Sequence, residues 1–410
     1  MITVFTPSHD SKYLDECYAS LLAQTHKDWE WVVLLNGKAE WECSDSRVVV
    51  GYSKPNIQGV GALKREAVSR ANGDILVELD HDDILLPNAL AEIYAAFGRW
   101  NNVGFVYSDT IQIQDDGSPD SSEYDSAFGW SYNVTEDGKS AVTFEAHPHN
   151  VAHIWYAPNH IRAFKKNVYD KAGGYNPTLK VLDDQDLMCR MYQITEFRKI
   201  GTPLYKQRIH KDNTQSVPEI NAHIQTETVQ MADYYIMDLA LAWAGRNGLL
   251  ALDLGAAHDK PEGFLGVDLR ERPGVDIVAN FLSLELPESS VGVIRASDFL
   301  EHIADKTAVM EKIYYLLADG GMLLSTTPST DGRGAFQDPT HVAFWNENSF
   351  WYYTQAHMAA YIDSPLRFQV SRLRTFFPSE WHQQHNISYV QANLIAIKEP
   401  GRKYGGILEI

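Results

Sequence analysis

The sequence contains few cysteines. Only Cys17, Cys43 and Cys189 occur in 410 residues, and their odd number and spacing match no standard metal-ligand set. Secreted domains that depend on disulfides contain a much higher proportion of cysteine. We therefore interpret these residues as reduced thiols and expect a cytoplasmic protein.

Long apolar runs are also missing. No run approaches the roughly 20 residues that a helix needs to cross a bilayer, which predicts a protein without a transmembrane segment. The chain opens with "MITVFTPS", a pattern typical of a strand and a turn. We therefore expect no signal peptide.

Basic residues are fewer than acidic ones. Against 54 acidic side chains the chain has 35 basic ones, for a net charge of −19. Binding to nucleic acid without sequence preference requires a basic face. The charge balance makes nucleic acid the weakest of the candidate partners, and the sequence does not indicate an oligomeric state.

Strand and helix patterns alternate along the chain, and the alternation starts twice. The first series begins at "ITVFTP" and is interrupted by a polar, aromatic-rich segment over 112–160, and the second begins at "LLALDLG". Such alternation is typical of parallel α/β layers. We predict an α/β protein with two domains, residues 1–220 and 247–410, joined by a helical linker over 221–246.

An acidic cluster follows a predicted strand in "DILVELDHDD". Loops at the carboxyl ends of parallel strands bind ligands in α/β folds, and alternate residues such as Asp80 and Asp82 share a face. Their oxygens would suit Mg²⁺ or Mn²⁺, ions that commonly bind substrate phosphates. The alternative is that the carboxylates only stabilise the start of the next helix, where Asp83 is well placed.

A second acidic cluster, "LDDQDL", contains Asp183, Asp184 and Asp186. Mutual repulsion raises the pKa of one member of such a cluster, which would suit a general base. The alternative is again helix capping, here of "QDLMCRMY".

Residues 1–215 resemble family 2 glycosyltransferases of the GT-A fold. The resemblance lies in "ITVFTPSHD", "YLDECYASLLAQTHKDWEWVVLLNG", "GALKREAVSRANGDILVELDHDD", "AGGYNPTLKVLDDQDLMCRM" and "RIHKDNTQS", in this order. It implies a nucleotide-sugar donor, with a UDP-sugar as the first candidate, a Mn²⁺ or Mg²⁺ ion, and a glycan or glycoconjugate acceptor. It also places acceptor loops in 112–160, where Trp130, Trp155 and His160 would suit stacking on sugar rings.

The resemblance also assigns roles to single residues. Those near the donor base and phosphate would be Thr6, Pro7, Asn36, and Lys64 or Arg65. Asn36 departs from the acidic residue that is usual at its position.

At the metal, Asp80 would contact the ribose and Asp82 the ion and diphosphate, with His210 completing the coordination. Asp184 would be the base of an inverting transfer, with Asp183 as the second choice.

The second series opens with "LLALDLGAAHDKPEGFLGVDL", a strand, a tight turn and a strand that ends in an acidic residue. This pattern is a general nucleotide-binding signature, although Ala257 stands where a second glycine is expected. With "RASDFLEHI" and "YYLLADGGMLLSTTPS", residues 247–400 resemble class I S-adenosylmethionine-dependent methyltransferases, which have a Rossmann-like fold. A dinucleotide site is the alternative, but the sequence has no G-x-G-x-x-G motif.

This second resemblance implies S-adenosylmethionine as a cofactor. Five residues would bind it, namely Asp253, Gly255, Asp268, Asn280 and Asp298. His302 in "LEHI" and His341 in "DPTH" are candidate catalytic residues. Alternatively, His302 belongs to a structural motif and His341 to a turn.

Two apparently complete frameworks suggest a bifunctional enzyme that transfers a sugar and methylates a glycan. In the main alternative only the glycosyltransferase is active, and the second domain is a recognition or scaffold module. A working methyltransferase with a glycan-binding first domain, and a non-enzymatic interaction protein, are further alternatives. The retained carboxylates Asp80, Asp82 and Asp184 argue against both of these.

Overall fold

A computed structural model of the chain describes residues 1–57, 59–211, 213, 216–258 and 260–409. Residues 212, 214 and 215 of "RIHKDNTQS" and residue 259 of the glycine turn lie outside the described residues. The chain divides into two compact units. Unit 1 contains Met1–Ser126, Trp130–Ile236 and Lys403–Gly405, and unit 2 contains Ala127–Gly129, Met237–Arg402 and the residues from Gly406 onward.

Unit 1 is built from alternating strands and helices. Its elements are β1 (Ile2–Ser8), α1 (Leu14–Leu22), β2 (Trp29–Leu35), β3 (Val48–Tyr52), α2 (Val60–Val68), β4 (Ile75–Glu78), β5 (Ile84–Leu85), α3 (Ala89–Arg99), β6 (Val103–Ile113), β7 (Tyr132–Thr135), β8 (Gly138–Ala141), α4 (Pro148–Ala152), β9 (Arg162–Lys165), α5 (Lys166–Lys171), α6 (Asp183–Ile194) and β10 (Glu196–Arg208).

The sheet of unit 1 has the order β3-β2-β1-β4-β9-β6-β10-β5, with the β7–β8 hairpin added on β6. Strands β1 to β4 are parallel, whereas β9 is antiparallel to both of its neighbours. Every residue of β2 and β4 is buried, as expected for strands with both faces covered. The loops after β1, β2 and β4 therefore lie on one edge of the sheet.

The segment over 112–160 contains more regular structure than its polar sequence predicts. Strand β6 continues to Ile113, past the predicted end at Asp109, and all its residues are buried. Its buried polar side chains have partners, since Asp109 Oδ1 lies 2.7 Å from Lys199 Nζ and accepts a hydrogen bond from the Thr143 amide. Paired polar groups are tolerated in a core, so the strand continues four residues beyond its predicted end.

A long helix, α7 (Pro218–Arg246), contains the predicted linker 221–246. The division between the two units falls between Ile236 and Met237 of this helix. With 29 residues, α7 has the length that a membrane-spanning helix needs. Among the described residues, however, no helix is both long enough and apolar enough to cross a membrane.

Unit 2 continues with a second set of strands and helices. These are β11 (Leu250–Leu254), β12 (Leu265–Asp268), β13 (Ile277–Val278), β14 (Val291–Ser297), α8 (Lys306–Leu316), β15 (Leu317–Pro328), α9 (Gly334–Gln337), α10 (Glu347–Thr354), α11 (Ala356–Ala359), β16 (Phe368–Phe376), α12 (Glu380–Gln384) and β17 (Tyr389–Ala396).

The sheet of unit 2 has the order β13-β12-β11-β14-β15-β17-β16. The first five strands in this order are parallel, and β17 runs antiparallel between β15 and β16. The antiparallel pair expected from "FQVSRLRTFF" and "ISYVQANLIAIKE" is thus present. The loops after β11, β12, β13 and β14 share one edge of the sheet.

Candidate functional site

A cavity of about 600 Å³ opens in unit 1 at the carboxyl edge of its sheet. Its walls come from the loops after β1, β2 and β4, the first turns of α2 and α6, and the segments 154–162 and 207–213. Both acidic clusters contribute, because Asp80 and Asp82 line the cavity together with Asp183 and Asp184. The fold thereby brings together two motifs that lie about a hundred residues apart in the sequence.

The acidic strand end presents two carboxylates with different neighbours. Asp82 Oδ2 lies 2.9 Å from His210 Nε2, whereas Asp80 is 38% exposed and lies 3.4 Å from His160 Nε2. A carboxylate beside an imidazole is a ligand pair that Mn²⁺ accepts. Asp82 and His210 therefore fit the metal role that the sequence predicted, and Asp80 faces the same cavity.

Asp83 has a different task from its two acidic neighbours. Its carboxylate is buried and accepts a hydrogen bond of 2.7 Å from the amide of Arg208, while Arg208 Nε donates to the carbonyl of Asp82. Burial and the repulsion of Asp82 raise the pKa of Asp83 well above its usual range. Asp83 thus fixes the loop that carries Asp80 and Asp82.

A buried ionic network lies beneath the second acidic cluster. Lys64, only 7% exposed, contacts Glu78 and lies 3.4 Å from Asp183 Oδ2. Arg162, 8% exposed, binds Asp184 Oδ2 at 2.7 Å and lies 3.8 Å from Glu78. The two cations fix the positions of both carboxylates at the start of α6.

The two carboxylates of this cluster differ in pKa. Burial raises the pKa of Asp183 to about 6, even though Lys64 opposes the shift. Burial also disfavours the charged form of Asp184, but Arg162 and Lys64 outweigh it and lower the pKa. Asp184 is consequently ionised over the whole neutral range and is also the more exposed of the two, at 22% against 9%.

The predicted donor-binding residues fall into two groups. Pro7, Asn36 and Lys64 line the cavity. Thr6 is fully buried and donates a hydrogen bond to the carbonyl of Leu79, and Arg65 donates to two backbone carbonyls in the 173–175 turn. The side chains of Thr6 and Arg65 are not among those that line the cavity.

Sequence reasoning missed two residues of this network, Glu78 and Arg162. Glu78 stands two positions before Asp80, so the alternation of a strand places both side chains on one face. An acidic residue inside the otherwise apolar "ILVEL" was a usable signal, because a buried carboxylate requires a cation. No comparable sequence pattern indicated Arg162.

Trp130, Trp155 and His160, which the sequence analysis placed in acceptor loops, line the cavity.

Unit 2 has a smaller cavity of about 280 Å³. Of the predicted residues, Asp298, His302 and His341 line it. Asp253 is fully buried and binds Arg295 Nη1 at 2.7 Å, and burial raises its pKa. Arg295 thus pairs with Oδ1 of Asp253 within the sheet, and the cofactor role of Asp253 stays a prediction.

The remaining predicted cofactor residues follow the ends of parallel strands. Gly255 adopts φ +71°, and a Cβ there would meet Phe299 at 3.2 Å. Asp268 ends β12 and accepts a hydrogen bond from the Arg270 amide, while the Asn280 side chain caps the 3₁₀ turn at 281–283. Their shared edge fits a nucleoside-type ligand, although these residues do not line the 280 Å³ cavity.

Comparisons with known proteins relate part of the chain to glycosyltransferases. Residues 3–157 match the family model described as Glycosyl transferase family 2. A chondroitin synthase of Pasteurella multocida is 24% identical over 222 residues, which are 52% of this chain and 21% of that protein. The UDP-Glc:alpha-D-GlcNAc-diphosphoundecaprenol beta-1,3-glucosyltransferase of Escherichia coli is 26% identical over 114 residues, 26% of this chain and 44% of that protein.

Among solved structures, residues 1–349 of S. aureus TarS match with a TM-score of 0.40 and 13% identity, over 60% of this chain and 72% of that one. The chain spans only about a fifth of the length of the chondroitin synthase. The family match thus concerns the N-terminal part of unit 1. Residues 3–157 are thus similar to family 2 glycosyltransferases.

Proposed function

We propose that unit 1 transfers a sugar from a UDP-sugar to a glycan acceptor with inversion at the anomeric carbon. One observation carries the proposal: a single cavity is lined by an acidic strand end and by a second pair of carboxylates held by Arg162 and Lys64. The names of the related proteins, a chondroitin synthase and a glucosyltransferase that uses UDP-Glc, support this substrate class.

The charge balance of the cavity supports a metal-assisted donor site. Within the described residues, Glu78, Asp80, Asp183, Asp184 and Asp82 contribute five carboxylates to this site. Lys64 and Arg162 are the permanent cations that pair with members of this set, and Lys12 and Lys180 also line the cavity. His160 adds little positive charge, because burial and Arg162 lower its pKa.

An anionic diphosphate would be repelled by this excess of negative charge. A divalent cation held by Asp82 and His210, when bound, would neutralise the leaving diphosphate.

Two strand ends offer contacts to the donor. Pro7, near the end of β1, and Asn36, directly after β2, would contact the base, and Asp80 would accept hydrogen bonds from the ribose. The Lys64 ammonium is engaged by Glu78 and Asp183. Its contribution to phosphate binding would therefore be electrostatic.

Asp184 is our choice for the general base. It is ionised at neutral pH, and its Oδ2 is fixed by Arg162 and its Oδ1 by the amide of Gln185. A fixed carboxylate can remove the proton from an acceptor hydroxyl as the bond to the anomeric carbon forms. Asp183 is the alternative, since its raised pKa would suit proton transfer but its exposure is smaller.

Calorimetric titration with UDP, with and without Mn²⁺, tests the donor site. We expect UDP to bind in the presence of Mn²⁺ and to bind at least about tenfold more weakly to D82N, since loss of one ligand weakens a metal site. D170N is the matched control, because Asp170 is exposed and does not line the cavity. Equal affinity of D82N and D170N for UDP would refute the metal role of Asp82.

A second candidate function concerns unit 2. We propose that it binds S-adenosylmethionine and methylates a glycan, and the product of unit 1 is the first acceptor to test. Two features support this proposal. The sheet has five parallel strands, β13 to β15 in the sheet order, and then the antiparallel strand β17, which lies between β15 and the edge strand β16. In addition, Asp268 lies at the end of β12. The buried pairing of Asp253 favours the alternative, a recognition or scaffold module.

Binding of S-adenosylhomocysteine to wild type and D268N distinguishes these two functions of unit 2. Binding that D268N weakens supports the methyltransferase. No binding to wild type would leave unit 2 as a scaffold, while sugar transfer by unit 1 could persist.

A further inference from the structure

The cavity of unit 2 contains a cluster of side chains that the proposed cofactor does not require. Glu301, His302 and His341 each offer a ligand atom, and these atoms all lie within 4.8 Å of one another. His341 Nε2 is 4.0 Å from Glu301 Oε1 and also 4.0 Å from Asp338 Oδ2. We propose that these residues bind a divalent first-row transition metal ion, with Asp338 as an additional oxygen ligand.

The glutamate is positioned to receive a cation. Glu301 is 1% exposed, its Oε2 accepts a hydrogen bond from Thr327, and no hydrogen-bond donor reaches its buried Oε1 within the described part of the chain. An unpaired buried carboxylate oxygen is costly. A metal ion beside Oε1 would remove that cost.

Both histidines present the nitrogen that a metal requires. The Nδ1 atoms lie near backbone carbonyls, His341 Nδ1 at 3.0 Å from Ala335 O and His302 Nδ1 at 3.2 Å from Thr340 O. Such a contact fixes the proton on Nδ1 and leaves the lone pair of Nε2 for a metal, the arrangement commonly seen at metal-binding histidines.

The backbone supports the site as well. The amides of Val342 and Ala343 both donate to the carbonyl of Glu301, at 2.9 and 3.0 Å. These bonds tie the segment that carries His341 to the 3₁₀ turn that carries Glu301 and His302. The 4.0 Å between His341 Nε2 and Glu301 Oε1 is within the roughly 4.2 Å that separates two ligands at about 2.1 Å on opposite sides of an ion.

The ligand types indicate the class of metal. Two imidazoles and a carboxylate favour Zn²⁺, Fe²⁺ or Co²⁺ over Mg²⁺ or Ca²⁺, which prefer all-oxygen sets. With Asp338, four protein ligands would still leave one or two positions of a five- or six-coordinate ion open toward the 280 Å³ cavity that they line. Metal binding by His302 and His341 differs from the role of a general base, since a histidine nitrogen bound to a metal cannot accept a proton.

The test uses the full chain, freed of metal, with Co²⁺ as the probe and a D82N background that weakens the metal site proposed for unit 1. Equilibrium dialysis gives the stoichiometry, and the visible absorption of Co²⁺ reports nitrogen ligands. We expect one bound equivalent in D82N, and an affinity at least about 100-fold lower in D82N/H302Q and D82N/H341Q. His302 is exposed, so H302Q is expected to fold, and thermal unfolding checks this.

D82N/H357Q is the matched control, since His357 is an exposed histidine of unit 2 outside the cavity. It should bind Co²⁺ like D82N. The proposal is overturned if D82N binds no Co²⁺, or if the H302Q and H341Q proteins bind it as tightly as the control. The readout needs no methyl donor, so the failure of S-adenosylhomocysteine to bind would leave this result unaffected.

Discussion

At the scale of single residues, the ionic network beneath α6 determines what the cavity of unit 1 can do. Arg162 keeps Asp184 ionised, and Lys64 compensates for Glu78 and Asp183 in a region where each of these groups is at most 9% exposed. Buried ion pairs contribute little net stability, but the removal of one partner is strongly destabilising. The network therefore affects catalysis and folding in separately measurable ways.

The dependence of activity on pH distinguishes the two candidate bases. If Asp184 is the base, kcat/KM should stay constant as the pH falls from 8 to 5, because its pKa lies below its ordinary value. If Asp183 is the base, kcat/KM should fall about tenfold for each pH unit below a pKa of about 6. We predict the first profile, measured as initial rates at subsaturating donor. A decline centred near pH 6 would assign the base to Asp183.

Removal of Lys64 should destabilise unit 1. Lys64→Met leaves Asp183 buried without its cation and Glu78 with only the more distant Arg162, which we expect to cost about 3–5 kcal/mol in the free energy of unfolding. Urea unfolding measures the loss. The double variant K64M/E78Q should recover part of it, since one of the two uncompensated charges is then absent. If the double variant is less stable than K64M, the pair is not the source of the loss.

At the scale of elements, close approach between backbones determines two positions in unit 2. A Cβ on Gly266 in β12 would lie 2.0 Å from the carbonyl oxygen of Gly274. By contrast, a Cβ on Gly245 near the end of α7 would meet no atom within 4 Å. The first glycine is required by packing, and the second only adds freedom to the unfolded chain.

Substitution of these glycines should change the stability of unit 2 in opposite directions. Gly266→Ala should lower its thermal transition or abolish it, because the obstructing atom belongs to the backbone. Gly245→Ala should raise the stability by roughly 0.5–1 kcal/mol, as is usual for alanine in a helix. Differential scanning calorimetry of both variants provides the measurement. An unchanged transition in G266A would show that β12 and the 274 turn can separate at little cost.

Some strands of unit 1 could be predicted from local sequence patterns alone. Apolar runs such as "WEWVVLL" predict buried parallel strands, and β2 is completely buried. Strand β6 was predicted four residues too short, because the polar residues in its last part, Thr110 and Gln112, are satisfied by His160 and Tyr124, which are distant in the sequence. Long-range pairing cannot be read from local periodicity.

At the scale of the whole molecule, the order of motifs predicted two α/β units, and the described chain forms two compact units. The acidic clusters of unit 1 could be predicted to meet, because strand ends and helix starts share one edge of a parallel sheet. The Glu78–Arg162 contact and the Glu301–His341 cluster could not be predicted. Each depends on loop conformations that bring distant side chains together, and single-sequence patterns do not encode them.

Turnover of a UDP-sugar tests the central claim most directly. The purified chain is incubated with Mn²⁺, a panel of UDP-sugars and oligosaccharide acceptors, and released UDP and the anomeric configuration of the product are measured. We predict acceptor-dependent UDP release with inversion, lost by at least about 10³-fold in D184N and retained in D170N, as expected when a base is removed. Retention of configuration, or equal rates in D184N and D170N, would contradict the proposed role of Asp184 and with it the account of this cavity.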